Sequence, residues 1–195
     1  MGKSFELLGL AAFNVFLALI LSITFLGGDK VSLDYLTKDH VEKFISEVND
    51  ITTGTRQDMD NYSVTSYFMK HIADDSKFVN NIKYEIPRVG TQERTMEMSK
   101  LDFISHILQG MQNGGDDRET SIAIEHIEIA EHGKAAKVIT TNMESGMMPF
   151  DDGSGSAQML PVTGVSFCEQ TVVLSDKNIQ METANCTTDV SFNDY

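Results

Sequence analysis

Apolar spacing changes once along this chain, from helical steps to alternation, and that change limits the fold more than any other feature. Before Gly114-Gly115, apart from one short strand, apolar residues recur at steps of three and four; after it they fall at every second position. Val41, Phe44, Ile45, Val48 and Ile51 form one stripe of a helix, with Thr37 as its N-cap and Gly54 as its end. Val64, Tyr67, Phe68 and Ile72 mark a second helix, expected to stop at Asp74-Asp75-Ser76. A third starts at Ser99, where Asp102 completes a capping-box-like pair, and carries Leu101, Ile104, Ile107, Leu108 and Met111. Between the last two, Ile82, Tyr84 and Ile86 alternate up to Pro87 as a short strand.

The later half reads as strands. From Ile122 to Ile129 the apolar phase shifts by one between positions 124 and 127, which a β-bulge absorbs. Glu131-His132-Gly133-Lys134 is a turn, and a strand follows from about Ala135 to Met143. Ser145 to Ser156 has loop composition, and Val162–Leu174 and Ile179–Phe192 are two further strands. Helices first and strands afterwards predict an α+β fold, a curved antiparallel sheet wrapped around three helices.

Leu7 to Leu26 is apolar except for Asn14, Ser22 and Thr24, about the length that crosses a bilayer as a helix. Cleavage after Gly27 or Gly28 would place Phe25 or Leu26 at the third residue back, both too large for a signal-peptidase site. Residues 1–28 are therefore expected to be an uncleaved signal anchor, with a cleaved signal peptide as the alternative. Residues 29–36 then form a connector and 37–192 one domain. Lys3 weakly favours a cytoplasmic N-terminus, which puts the body outside the cytoplasm, periplasmic or extracellular, or secreted if cleavage occurs. The formal charge is −14, with 15 Lys and Arg against 29 Asp and Glu, and such a surface repels nucleic-acid phosphates. Nucleic acid is excluded as a partner.

The only cysteines, Cys168 and Cys186, fall on the last two strands. A hairpin looped by Asp176-Lys177-Asn178 pairs Ser175 with Ile179 and, counting outward, sets Cys168 directly opposite Cys186. Directly opposed antiparallel residues lie close enough for a disulfide, whereas a two-residue loop would slip the register and turn the two side chains to opposite faces. An oxidising compartment lets the bond persist.

Three passages carry a family resemblance: Phe68-Met-Lys-His-Ile-Ala-Asp-Asp-Ser-Lys-Phe78, Lys100-Leu-Asp-Phe-Ile-Ser-His-Ile107, and Ile127-Glu-Ile-Ala-Glu-His-Gly-Lys-Ala-Ala-Lys-Val138. In their order and spacing the chain resembles the nuclear transport factor 2-like (SnoaL-like) superfamily, over about residues 37–190. The resemblance implies a cone made of a bent sheet around three helices, a fold that hosts isomerases, dehydratases, cyclases, transport factors and envelope assembly subunits. It also implies, for the isomerases, an inward acid on the strand after Asp74-Asp75. Here Glu85 alternates out of phase with Ile82, Tyr84 and Ile86, so that acid is missing.

The cone interior is expected to be lined by Phe44, Val48, Tyr67, Phe68, His71, Ile82, Tyr84, Phe103 and His126. His71 and His126 are the residues that a dehydratase-like reading would use. His106 reads as a surface neighbour of Asp102, and His132 as a solvated turn residue. Asp116-Asp117 and Asp151-Asp152 are oxygen-rich but lack calcium-loop spacing, and the 11 Met form no repeated array, so neither a metal nor a cofactor is expected. Asn61-Tyr-Ser63 and Asn185-Cys-Thr187 match glycosylation sequons. The function these features favour is a non-enzymatic binding or assembly module held at a membrane, using its cone or sheet face to meet a protein, a small apolar ligand or a second copy of itself. The alternative is a cyclase, isomerase or dehydratase acting on a small apolar substrate.

Overall fold

Thr37 caps the first helix as its sequence implies, accepting a hydrogen bond from the His40 N–H at 3.2 Å. The computed structural model describes residues 33–56, 58–86, 90–113, 119–151 and 157–192. Within them lie helices α1 (Lys38–Thr52), α2 (Asn61–His71) and α3 (Lys100–Asn113). The strands are β1 (Ile72–Ile86), β2 (Gly90–Met98), β3 (Glu119–Ile129), β4 (Ala135–Asp151), β5 (Ala157–Ser175) and β6 (Asn178–Phe192). The apolar run Leu7–Leu26 falls outside the described residues. Among those residues no helix is long and apolar enough to cross a membrane.

The strands form one six-stranded sheet ordered β2-β1-β6-β5-β4-β3. It is mixed, not purely antiparallel, because β1 runs parallel to β6 while every other pair is antiparallel. β1 turns back into β2 at one edge, α3 carries the chain over, and β3 to β6 meander back until β6 meets β1. Burial alternates along β1 from Ser76, along β4 and β5, and along β6 from Ala184, where the even-numbered residues face inward and the odd-numbered ones face away; nearer the start of β6 it is Met181 that is buried.

Three local expectations need correction, and one strand, β2, has no counterpart among them. α2 ends at His71 and not at Asp74, since Ile72 already has extended backbone and pairs with Met181 of β6. Ile72 is 2% exposed, and a strand start buries it as well as a helical stripe would. β1 therefore spans fifteen residues. β2 lacks an alternating pattern because an edge strand is half solvated. Finally, residues 145–151 are strand, paired from Ser145 with Thr163 to Asp151 with Ala157, despite their Gly, Pro and Met content.

Other expectations hold. Ser99 N–H and Oγ both donate to Asp102 Oδ2, at 3.1 and 2.6 Å, which completes the cap of α3. The register of β3 against β4 shifts between Ile124 and His126, where the bulge was expected. Gly133 sits in the β3–β4 turn at φ 65°, and its carbonyl accepts from the Leu36 N–H at 2.7 Å, tying the segment before α1 to the sheet. A Cβ added there would stand 3.0 Å from that of Tyr35, so both the backbone and the space favour glycine. Lys100 is buried, and its Nζ donates to the Met69 carbonyl and to Asp74 Oδ1, both at 2.7 Å. It thus places a cation at the C-terminal end of α2, where the helix dipole is negative.

Candidate functional site

The inward face of the sheet carries a polar band between two apolar clusters. On one side lies the main core, in which Phe44, Val48, Phe68 and Phe103 are at most 5% exposed. Phe103 stacks on Phe78 at 4.3 Å between ring centroids and meets Phe68 edge-on at 6.0 Å. On the other side Ile82, Tyr84, Ile86, Val190 and Phe192 form a second cluster. Burial pushes the Tyr84 phenol up to about 12.

Register places the band. One row across the sheet reads Asn80, Cys186, Cys168, Thr140 and Ile124, and the next reads Ile82, Thr188, Ser166, Asn142 and Ile122. The Thr188 hydroxyl donates to Asn80 Oδ1 at 2.9 Å, so in its 2.8 Å contact with Ser166 it is Ser166 that donates. Gln170 Nε2 donates to Thr140 Oγ1 at 3.2 Å. Asn80 Nδ2, Asn142 Oδ1 and Gln170 Oε1 have no partner among the described residues and are shielded from solvent. Such a band can orient groups by hydrogen bonds, but its only ionisable side chain is Glu144. The band was missed in the sequence although its signal was present: these polar residues occupy the apolar phase of their strands.

The disulfide lies inside this band. Cys168 and Cys186 are bonded, with Cα atoms 4.2 Å apart. The expected pair is right, but the hairpin that led to it is not. Asp176 and Lys177, both at positive φ, make a two-residue turn that pairs Ser175 with Asn178. That turn alone would leave the cysteines on opposite faces. An extra residue in β6, Glu182 between Met181 and Thr183, shifts the register back and brings them together. The bond fits an oxidising, non-cytoplasmic compartment.

The histidines separate. His126 is exposed beside the bulge, which corrects the expectation that it faces inward. His71 is half-buried, stacks on Tyr67 at 4.4 Å and bonds the Ile179 carbonyl through Nδ1 at 2.8 Å. A carbonyl only accepts, so Nδ1 carries the proton and Nε2 the lone pair. Burial lowers its proton affinity and so favours the neutral ring. The Tyr67 hydroxyl donates to Glu47 Oε2 at 3.2 Å, and Arg56 stands 3.9 Å from Glu47 Oε1. Burial raises the Glu47 carboxyl above its ordinary range and pushes the Tyr67 phenol well up. This cluster joins α1, α2 and the start of β6, apart from the polar band. Glu85 is exposed and pairs with Lys83 at 3.5 Å, so the inward acid of the isomerase pattern is absent from its strand. His106 is half-buried and His132 exposed in its turn. Among the described residues no three His, Cys, Asp or Glu side chains gather as metal ligands, and Asp116, Asp117 and Asp152 lie outside those residues.

The pH response of His71 has a definite sign. Its folded proton affinity is below the unfolded one, so the unfolded chain takes up the proton first and stability falls as pH drops through about 6.5. Glu47, shifted upward, contributes the opposite slope at lower pH. His71→Gln keeps a donor for the Ile179 carbonyl without titrating. Denaturation between pH 7 and 5 is expected to show wild type losing stability relative to that variant; parallel curves would contradict it.

The outward face is different again. Phe167 is 54% exposed on β5 between Thr141 and Thr187, and Val165 faces Met143 of β4. Met147 and Met159 extend this exposed apolar stripe.

No family model matches the chain, and no curated protein matches it. Similar solved structures include a domain of unknown function with a cystatin-like fold from Nostoc punctiforme, 9% identical with a TM-score of 0.38; each chain is covered over 64%, so this chain spans just under two thirds of that domain. An NTF-2-like protein of unknown function from Silicibacter pomeroyi is 12% identical with a TM-score of 0.34, covering 74% of this chain and 84% of that one. A hexachlorocyclohexane dehydrochlorinase is 10% identical with a TM-score of 0.39, covering 74% and 93%. At such identities no activity passes from these proteins to this chain. Its resemblance remains one to nuclear transport factor 2-like, SnoaL-like folds.

Proposed function

We propose that the chain is an exported, membrane-held binding or assembly module that meets a partner protein through the outward face of its sheet. The carrying observation is the exposed stripe of Phe167, Val165 and Met143 on β4 and β5. Large apolar side chains grouped on the face of a strongly acidic protein lose water contact only when something covers them. Two further features support binding over catalysis. Phe44, Phe68, Phe78 and Phe103 are buried together between helices and sheet, and Glu85, on the strand where the isomerase pattern has its inward acid, is exposed beside Lys83. Leu7–Leu26 would hold the body at the membrane, and the disulfide suits its outer side.

A pull-down of the full chain from its native membrane fraction tests this. A stoichiometric partner is expected with wild type and is lost with Phe167→Glu, while the circular dichroism of the variant is unchanged. Equal recovery with both would reject the outward face. An acid–base enzyme is the second reading, favoured by the bond from Tyr67 to Glu47, whose carboxyl burial raises, and by His71, which stacks on Tyr67 and whose proton affinity burial lowers. It requires His71→Ala to cost about 10²–10⁴-fold in an assayed activity.

A further inference from the structure

The two edges of the sheet differ. At one edge, β3 is interrupted by its bulge between Ile124 and His126, and α1 packs beside it. At the other edge, all nine residues of β2 pair with β1 in unbroken register from Gly90 with Ile86 to Met98 with Phe78. β2 contains no proline and no bulge, two of the devices that stop an edge from accepting another strand, so the protection it has comes from its charges, Glu93, Arg94 and Glu97, which select what can pair there. Among the described residues no strand lies on its far side, so every second residue of β2 turns a backbone N–H and C=O outward.

The side chains of β2 specify what would pair there. Thr91, Glu93, Thr95 and Glu97 are exposed and share the outward face, and neither Glu makes an ion pair among the described residues. On the other face stand Gln92, Arg94 and Met96, with Met96 packed against both apolar clusters. An added strand is therefore favoured when its basic residues lie on the Glu93 and Glu97 side and its apolar residues beside Met96. The opposite phase would set its basic residues against Arg94. A second copy of this chain is a poor occupant, since two-fold pairing about Arg94, the centre of β2, sets Arg94 against Arg94, and pairing about Thr95 sets Glu93 against Glu97 twice.

We propose that the β2 edge binds an extended segment of another protein with basic residues at every second position, by strand addition. This interface is separate from the outward stripe and does not depend on it.

The probe is a labelled nine-residue peptide alternating Lys and Val, matched to the length of β2, with a control of the same composition in which the Lys residues are grouped. Fluorescence anisotropy with the full chain is expected to show the alternating peptide binding roughly tenfold more tightly than the control. Hydrogen exchange of the β2 amides should slow on binding. The double variant Glu93→Lys, Glu97→Lys, whose changes are on an exposed face, should weaken that peptide roughly tenfold and prefer one alternating Glu and Val. Phe167→Glu should leave peptide binding unchanged, so failure of the outward-face reading and failure of this one are distinguishable. Equal binding of the two Lys peptides, indifference to the charge reversal, or protection of β2 by self-association or by residues 1–32 would overturn the proposal.

Discussion

Phe103→Ala is expected to lower the unfolding free energy by about 3–5 kcal/mol, the range for removing a buried phenyl ring from a packed core. The ring is 5% exposed, stacks on Phe78 and meets Phe68 edge-on, so its loss leaves a cavity bounded by two other rings and by α3. The helix cannot collapse into that space freely, because the Ser99–Asp102 cap and the Lys100 bonds to Met69 and Asp74 fix its start. Urea denaturation checks the loss. Phe103→Leu, which keeps most of the volume, should cost much less, and Phe167→Ala on the outward face should stay within about 0.5 kcal/mol of wild type. A small effect of Phe103→Ala would mean that the space between helices and sheet is not filled as described.

Breaking the disulfide should cost about 3 kcal/mol, since the bond joins residues 18 apart and restricts the unfolded chain accordingly. For a chain of this size that corresponds to a fall in the thermal midpoint of roughly 6–12 °C. Both sulfurs are buried within the polar band, and Asn142 Nδ2 lies 3.9 Å from that of Cys168. The loss should therefore appear as loosening of β5 against β6. Calorimetry of oxidised protein beside protein reduced in denaturant and refolded measures it; coincident midpoints would show that β5 and β6 hold together without the bond.

Much of this architecture was legible in the residues where local chemistry and tertiary packing agree. Thr37, the Ser99–Asp102 pair, the phase shift after Ile124 and the stripes of α1 and α3 each name their own structure. Two misreadings share a cause, namely that the deciding contact lies far away in sequence. Ile72 fits a helical stripe, but pairing with Met181 makes it a strand residue. Gly146, Met147 and Pro149 fit a loop, but β5 supplies partners for all three.

The site was harder to read than the fold. Of the residues expected to line the interior, Phe44, Val48, Phe68 and Phe103 are core, Ile82 and Tyr84 belong to the second cluster, Tyr67 bonds Glu47 and stacks on His71, and His126 is outside. The amides and hydroxyls of Asn80, Asn142, Gln170, Ser166 and Thr188 come from four strands, and only the pairing of β1 with β6 brings Asn80 beside the others. The cysteines illustrate compensation: a two-residue turn and a one-residue bulge each displace the register, and together they restore it.

Binding at the outward face of the sheet can be read from a photo-crosslinking side chain placed singly at Phe167 or at Tyr62, an exposed residue on α2 away from the stripe. With the full chain in its native membrane, position 167 should yield one discrete protein adduct and position 62 none. Identical adducts from both positions, or none from position 167, would rule out a partner at that face.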